Sequence, residues 1–166
     1  EETDEETERA MYERLIDTAE AQGFEHYELS NFALPGFRSR HNSSYWHDVP
    51  YLGLGPGAHS YDGAARYANR PDLNAYLAAP EECLVKECLT DDERFNDYVF
   101  TALRTADGLP LDSLAEHFGE AAKNNLLRAA KSRLAAGCLE LCGNRLKLTR
   151  KALFVSDDII SDLMRV

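Results

Sequence analysis

The sequence predicts a mixed α/β fold: strands and helices of a parallel (β/α) barrel, then a helical, winged-helix-like domain closed by a β-hairpin. Three observations carry that expectation. Two short strand-like runs, 24–31 and 51–54, have chemistry-bearing side chains crowded at their C-terminal ends, where parallel barrels gather their ligands. A helical run precedes the first of them, which makes an αβ unit. After residue 90 three segments with helical apolar spacing lead to a Gly143-Asn144 pair, a two-residue turn of the β-hairpin kind.

Residues 4–22 read as an amphipathic helix, with Met11, Leu15, Ile16 and Ala19 at helical spacing and acids in the first turns, where the helix dipole favours them. Gly23 is a natural stop. In the strand 24–31, Tyr27 and Leu29 alternate with His26, Glu28 and Ser30. The apolar pair is expected to pack against outer helices, so His26, Glu28 and Ser30 are expected to face the barrel lumen. Residues 32–50 form a loop with turn signals at Pro35-Gly36 and Pro50, and its length of about 19 residues exceeds a simple connection. Its aromatic residues, Phe32, Phe37, Tyr45 and Trp46, argue for a lid packed over something. The strand 51–54 runs into Gly55-Pro56-Gly57-Ala58-His59-Ser60, a turn with two readings. Glycines there permit a sharp strand exit, or they let backbone approach a bound cofactor.

Beyond Tyr61 the chain reads as loop, with a short helix over 73–79 bounded by Asp72 and Pro80. Residues 81–89 read as a strand or linker, and the domain boundary falls near 80–90, giving a first domain over 1–80 and a second over 90–166. Thr90-Asp91-Asp92-Glu93 has the capping-box spacing and opens a helix to about Ala106. Helices follow over 111–118 and 120–136, each ended by a glycine, then strands 138–141 and 145–149 and a last helix over 156–164. The third helix of this domain carries Lys123, Arg128, Lys131 and Arg133 against Glu120. A winged-helix protein would lay such a helix in the DNA major groove, though the fold alone does not imply that function.

Composition narrows the function classes. The 166 residues are 44% apolar and 28% charged, ordinary for a soluble globular protein. No apolar run approaches the ~20 residues of a membrane span, and no signal peptide is visible. Of the net charge of −11, residues 1–22 contribute −7, the solvated face of one helix. An acidic chain repels phosphate backbones, so no nucleic-acid partner is expected. Cys83, Cys88, Cys138 and Cys142 fit no zinc or redox pattern and read as cytoplasmic thiols.

Among the five histidines, His117 reads as structural or surface and His47 as a loop residue, while His26 suits a ligand contact or a core hydrogen bond equally. His41 stands apart. Neutral imidazole is the commonest haem ligand, and a flat apolar macrocycle needs aromatic walls such as Tyr45 and Trp46.

The segment YELSNFALPGF, then RHNSSYW, then YLGLGPGAHS resembles the oxygen-independent coproporphyrinogen III oxidase family of radical S-adenosylmethionine (SAM) proteins. Its His41-Asn42-Ser43-Ser44-Tyr45-Trp46 matches the HNxxYW motif of the haem-chaperone branch, HemW. The resemblance implies a radical SAM barrel, a [4Fe–4S] cluster and SAM as cofactors, and a haem site at His41, Asn42, Tyr45 and Trp46. It places the SAM adenosine beside Gly55, Gly57, Ala58 and His59. It also implies a cysteine at position 39, where this chain has Ser39.

The family's CxxxCxxC cluster motif is not in this sequence, so the chain reads as a C-terminal fragment, inactive alone, whose second domain folds independently. The function implied is haem handling, with haem or coproporphyrinogen bound and haem passed to a haemoprotein. Radical decarboxylation of coproporphyrinogen III, and a winged-helix interaction module, are the alternatives.

Overall fold

The computed structural model describes residues 3–165; the first two residues and the last, which the expected domain limits include, lie outside the described residues. The fold is mixed α/β, as expected. Helix α1 (Glu5–Ala21) starts where the Asp4 carboxylate accepts the Thr7 amide at 2.9 Å, with Glu5, Glu6 and Glu8 in its first turn. It ends at Gly23, whose positive φ of 83° lets the Gly23 and Phe24 amides fold back onto the last turn. Only Ile16 of its expected apolar face is buried; Met11 and Leu15 stay exposed.

The expected strand 24–31 is not one strand. Strand β1 (Glu25–Glu28) turns at Leu29-Ser30 and pairs antiparallel with β2 (Asn31–Ala33). The turn is made by Glu28, whose carboxylate accepts the Ser30 amide at 3.0 Å and the Asn31 side-chain amide at 2.6 Å. On its other edge β1 meets residues 104–106: Glu28 bridges Thr105, the Leu29 amide donates to the Arg104 carbonyl, and the Ala106 amide donates to the Tyr27 carbonyl. With both edges so occupied, β1 does not pair with 51–54. Every paired strand among the described residues is antiparallel, and the parallel pairing expected of the two runs does not form. Residues 51–54 make one antiparallel bridge, Tyr51 to Tyr61, and leave Leu52 and Leu54 exposed.

The loop expected over 32–50 contains a helix, α2 (Arg40–Trp46), and the stretch after Tyr61 is a sheet rather than a loop. Strands β3 (His59–Tyr61), β4 (Ala65–Asn69) and β5 (Leu84–Cys88) form an antiparallel meander in that order. Asp62 closes the first turn by accepting the Ala64 and Ala65 amides and the Tyr67 hydroxyl. Helix α3 (Leu73–Ala78), capped by Asp72, and a 3-10 turn at Pro80–Cys83 link β4 to β5.

Helix α4 (Asp91–Leu103) begins at the reciprocal capping box of Thr90 and Glu93, and such a cap contributes about 1 kcal/mol. Strand β6 (Leu109–Pro110), α5 (Leu111–Phe118) and α6 (Glu120–Ala129) follow. The expected helix 120–136 breaks at Ala130, so its end is a separate α7 (Lys131–Ala135). Strands β7 (Leu139–Cys142) and β8 (Arg145–Leu148) form the hairpin, β6 adds to β8, and a 3-10 segment and α8 (Ser156–Ser161) complete the chain.

The main core is drawn from residues after 90: Phe95, Val99 and Leu103 of α4 pack with Leu109, Leu114, Leu126, Leu146 and Ile159, all essentially inaccessible. Each such side chain contributes about 1.5–3 kcal/mol by leaving water. The earlier residues are fastened to this core through polar pairs. Arg104 reaches the buried Glu28 at 3.2 Å, Arg38 reaches Asp107 at 3.3 Å, Arg66 pairs with Asp97, and Arg150 pairs with Asp17.

Glu28→Ala leaves Arg104 half-paired and opens the hairpin turn, so it lowers unfolding free energy by about 3–5 kcal/mol in denaturant titration; a loss under 1 kcal/mol contradicts this role for the pair. Its hydrogen bonds, first that from Tyr67, hold Asp62 down at about 2. Because the folded value lies below the unfolded one, its contribution is complete above the usual carboxylate range and is lost progressively as pH falls from that range through about 2. The Asp62 carboxyl carbon resonance should therefore titrate with a midpoint near 2, and a midpoint near 4 contradicts the turn described.

Candidate functional site

Helix α2 starts because the Ser39 hydroxyl accepts the Asn42 amide at 3.2 Å, an N-cap that a serine fills well. It ends at His47, whose Nδ1–H donates to the Ser43 carbonyl at 2.6 Å, just before Asp48 takes a positive φ of 55°. The Asn42 side chain donates to Asn31 at 3.4 Å, and Asn31 in turn donates to Glu28. The start of α2 is thus tied through two amides to the buried Glu28–Arg104 pair.

His41 and Tyr45 lie one helical turn apart and point the same way. Tyr45 Oη is 3.1 Å from His41 Nε2, with the rings edge-on at 4.9 Å between centroids. Tyr45 meets Tyr51 edge-on at 4.7 Å, and Tyr51 lies 6.3 Å from Tyr61. Tyr51 and Tyr61 then line, with Leu52, Tyr67 and Leu84, a mainly apolar pocket of 540 Å³. That volume is within the range of small-molecule sites. Burial, and then the Tyr45 hydroxyl, push the Tyr51 phenol above its ordinary value.

Trp46 does not join this group. Five positions from His41, it faces a different side of a helix with 3.6 residues per turn. Its indole lies against the Arg104 guanidinium at 5.6 Å, and its Nε1–H is buried with no acceptor among the described residues. It borders a separate cavity of 350 Å³ with His47, Tyr98, His117 and Arg145. The four expected haem residues therefore divide. His41 and Tyr45 stand together, Asn42 anchors the helix, and Trp46 packs toward α4.

The three expected lumen residues also part company. Glu28 is buried in its ion pair. The His26 Nε2–H donates to the Leu29 carbonyl at 3.1 Å, and the ring stacks on Phe32 at 4.4 Å. Ser30 is exposed, because the alternation of β1 ends at the turn that Glu28 makes.

In the glycine turn the amides are spent internally. Gly55 donates to the Tyr76 hydroxyl at 3.1 Å, Gly57 to the Asn69 carbonyl at 3.1 Å, and Ala58 to the Gly55 carbonyl at 3.2 Å. The buried Asn69 returns a bond to the Gly55 carbonyl at 2.9 Å. A side chain built at Gly53 would overlap the His59 carbonyl, while one at Gly55 would meet open space. One face of the turn is therefore bare backbone, open to close approach, with His59 exposed beside it on β3. Asn69 and Tyr76, which hold that turn, carry no local signal in the sequence. Neither does Arg104, whose partner is 76 positions away.

Iron-sulfur ligation needs thiolates that converge on one point. Among the described residues no group of three or more histidine, cysteine or acidic side chains could hold a metal, and the four cysteines are unpaired. The residues present do not fit a cluster.

Residues 89–155 match the family of HemN C-terminal domains. The chain is 38% identical over 110 residues to the heme chaperone HemW of Lactococcus lactis subsp. lactis (strain IL1403), covering 65% of this chain and 29% of that protein. It is 34% identical over 157 residues to the heme chaperone HemW of Mycobacterium tuberculosis (strain ATCC 25618 / H37Rv), covering 92% and 38%. The chain thus spans well under half the length of these curated relatives. Among solved structures, the coproporphyrinogen III oxidase HemN from Escherichia coli, a radical SAM enzyme, superposes with a TM-score of 0.67 at 17% identity, over 92% of this chain and 39% of that one. That likeness shows a shared fold. The sequence matches, 34% identity over 92% of this chain among them, put the chain in the HemN/HemW family.

Proposed function

We propose that this chain carries the haem-contacting part of a HemW-like haem chaperone, a protein that binds haem and hands it to a haemoprotein. The observation that carries this reading is an exposed imidazole, His41, backed by Tyr45 and Tyr51 and leading to an apolar pocket of 540 Å³. Haem here is cargo. His41 supplies a ligand to its iron, Tyr45 and Tyr51 contact the macrocycle, and Asn42 holds α2 in place. Trp46 braces α2 against Arg104 and acts on the site only indirectly.

SAM, in this reading, approaches the open face of the turn at Gly55, Gly57 and Ala58, with His59 beside it. The [4Fe–4S] cluster, which when bound supplies the electron for SAM cleavage in radical SAM proteins, would be held by residues other than those of this chain. We read 1–80 as barrel-derived and 90–166, with its helices and hairpin, as a winged-helix-like domain beside it. The basic charge of α6 and α7 is partly neutralised, since Lys123 pairs with Glu120 and Asp112 and Arg133 pairs with Asp162, so we assign the domain no nucleic-acid partner. No helix of the described residues is long and apolar enough to cross a membrane. Four free thiols fit a cytoplasmic setting.

Titration of the protein with hemin tests the reading. His41→Ala should shift the Soret band and weaken binding at least about tenfold, as loss of a metal ligand does, with little change in thermal midpoint. An unchanged spectrum with a stability loss of about 1 kcal/mol or more would make His41 a structural residue instead.

A further inference from the structure

Tyr45 has a place in this site that its aromatic character alone does not explain. Its hydroxyl lies 3.1 Å from His41 Nε2, and no other hydrogen bond to the His41 ring occurs among the described residues. Two polarities are open to such a contact. A phenol is the stronger acid, and neutral imidazole offers a basic lone pair, so the Tyr45 O–H donates and Nε2 accepts. The lone pair that a metal needs is then the one that Tyr45 engages.

The Tyr45 ring also meets Tyr51, edge to face, with 4.7 Å between centroids. Tyr51 is fixed by two backbone hydrogen bonds to Tyr61, each 2.9 Å, and lines the apolar pocket. A flat ligand that covers Tyr51 therefore competes for the surface on which Tyr45 leans. Tyr45 is 38% exposed, so its hydroxyl can turn from Nε2 to solvent without opening a core, the ring staying beside the macrocycle.

We propose that Tyr45 is a positioning residue that caps His41 Nε2 in the ligand-free protein and releases it when a metalloporphyrin takes the adjoining face of Tyr51. This rests on the reading of His41 as the haem ligand. The chemistry is a ligand exchange without redox change. The Nε2 lone pair forms a bond to iron, the water on hemin leaves, and the phenol keeps its proton and rebonds to solvent.

Two measurements on the protein separate this proposal from the reading beneath it. The first is the rate at which diethyl pyrocarbonate modifies His41, followed by peptide mass; the second is a hemin titration. Tyr45→Phe keeps the ring and removes the cap. It should speed modification of His41 and tighten hemin binding, each by about two- to tenfold, the range of one net hydrogen bond. Tyr45→Leu should speed modification as well, and equal thermal midpoints check that both variants are folded. If Tyr45→Phe changes neither measurement while His41→Ala weakens hemin binding, the cap is overturned and the haem reading stands. If His41→Ala binds hemin as the unaltered protein does, the reading fails and the proposal with it.

Discussion

The ion pair of Glu28 with Arg104 is the constraint on which the rest of the arrangement depends. Glu28 is 2% exposed, and a carboxylate so placed is tolerated only when its charge and lone pairs are met. Arg104 meets the charge at 3.2 Å, and the Ser30 amide and Asn31 side chain take the remaining lone pairs. One side chain therefore does three things. It turns β1 into a hairpin, joins that hairpin to the end of α4, and fixes Asn31 as the attachment point for Asn42 of α2. The backbone repeats the junction, with bonds from Leu29 to Arg104 and from Ala106 to Tyr27.

From that junction the site follows by short steps. Asn42 and the Ser39 cap set the start of α2, and the helical repeat then places His41 and Tyr45 on one side and Trp46 on another. Arg104 appears twice, as the partner of Glu28 and as the cation over the Trp46 ring at 5.6 Å. The end of α4 thus supports α2 from beneath while His41 faces solvent. On the far side, the bridge between Tyr51 and Tyr61 carries the aromatic series into the β3–β5 sheet. Leu52, which lines the pocket, and Leu54 are about four-fifths exposed.

What the sequence revealed was local. The capping box at Thr90, the stops at Gly23 and Gly119 and the Gly143-Asn144 turn each depend on residues a few positions apart, and each stands in the structure. Ser39 and Asp72 act as caps for the same reason, although the helix behind Ser39 is hidden in a stretch that reads as loop. The failures were of the opposite kind. The expected lumen face of His26, Glu28 and Ser30 assumed an unbroken alternation, and a buried ion pair 76 positions long in sequence breaks it. The β3–β5 meander was missed because Ala65–Asn69, ARYAN, lacks the β-branched residues that mark strands. Its strand character comes from pairing with Leu84–Cys88 across an intervening helix. The HNxxYW motif pointed to a candidate site, but the separation of Trp46 from His41 follows only once that motif is wound into a helix.

The most direct measurement of the central claim, that α2 offers His41 as a metal ligand, is nitrogen NMR of the protein with 15N-labelled histidines. Zinc protoporphyrin IX is a suitable diamagnetic probe that takes one axial imidazole. On its addition the Nε2 resonance of His41 should move to a metal-bound position, while His26, His47, His59 and His117 keep theirs. Movement at His26 or His59 with His41 unchanged would contradict it, and the ligand would then lie in the β1–β2 hairpin or at the glycine turn.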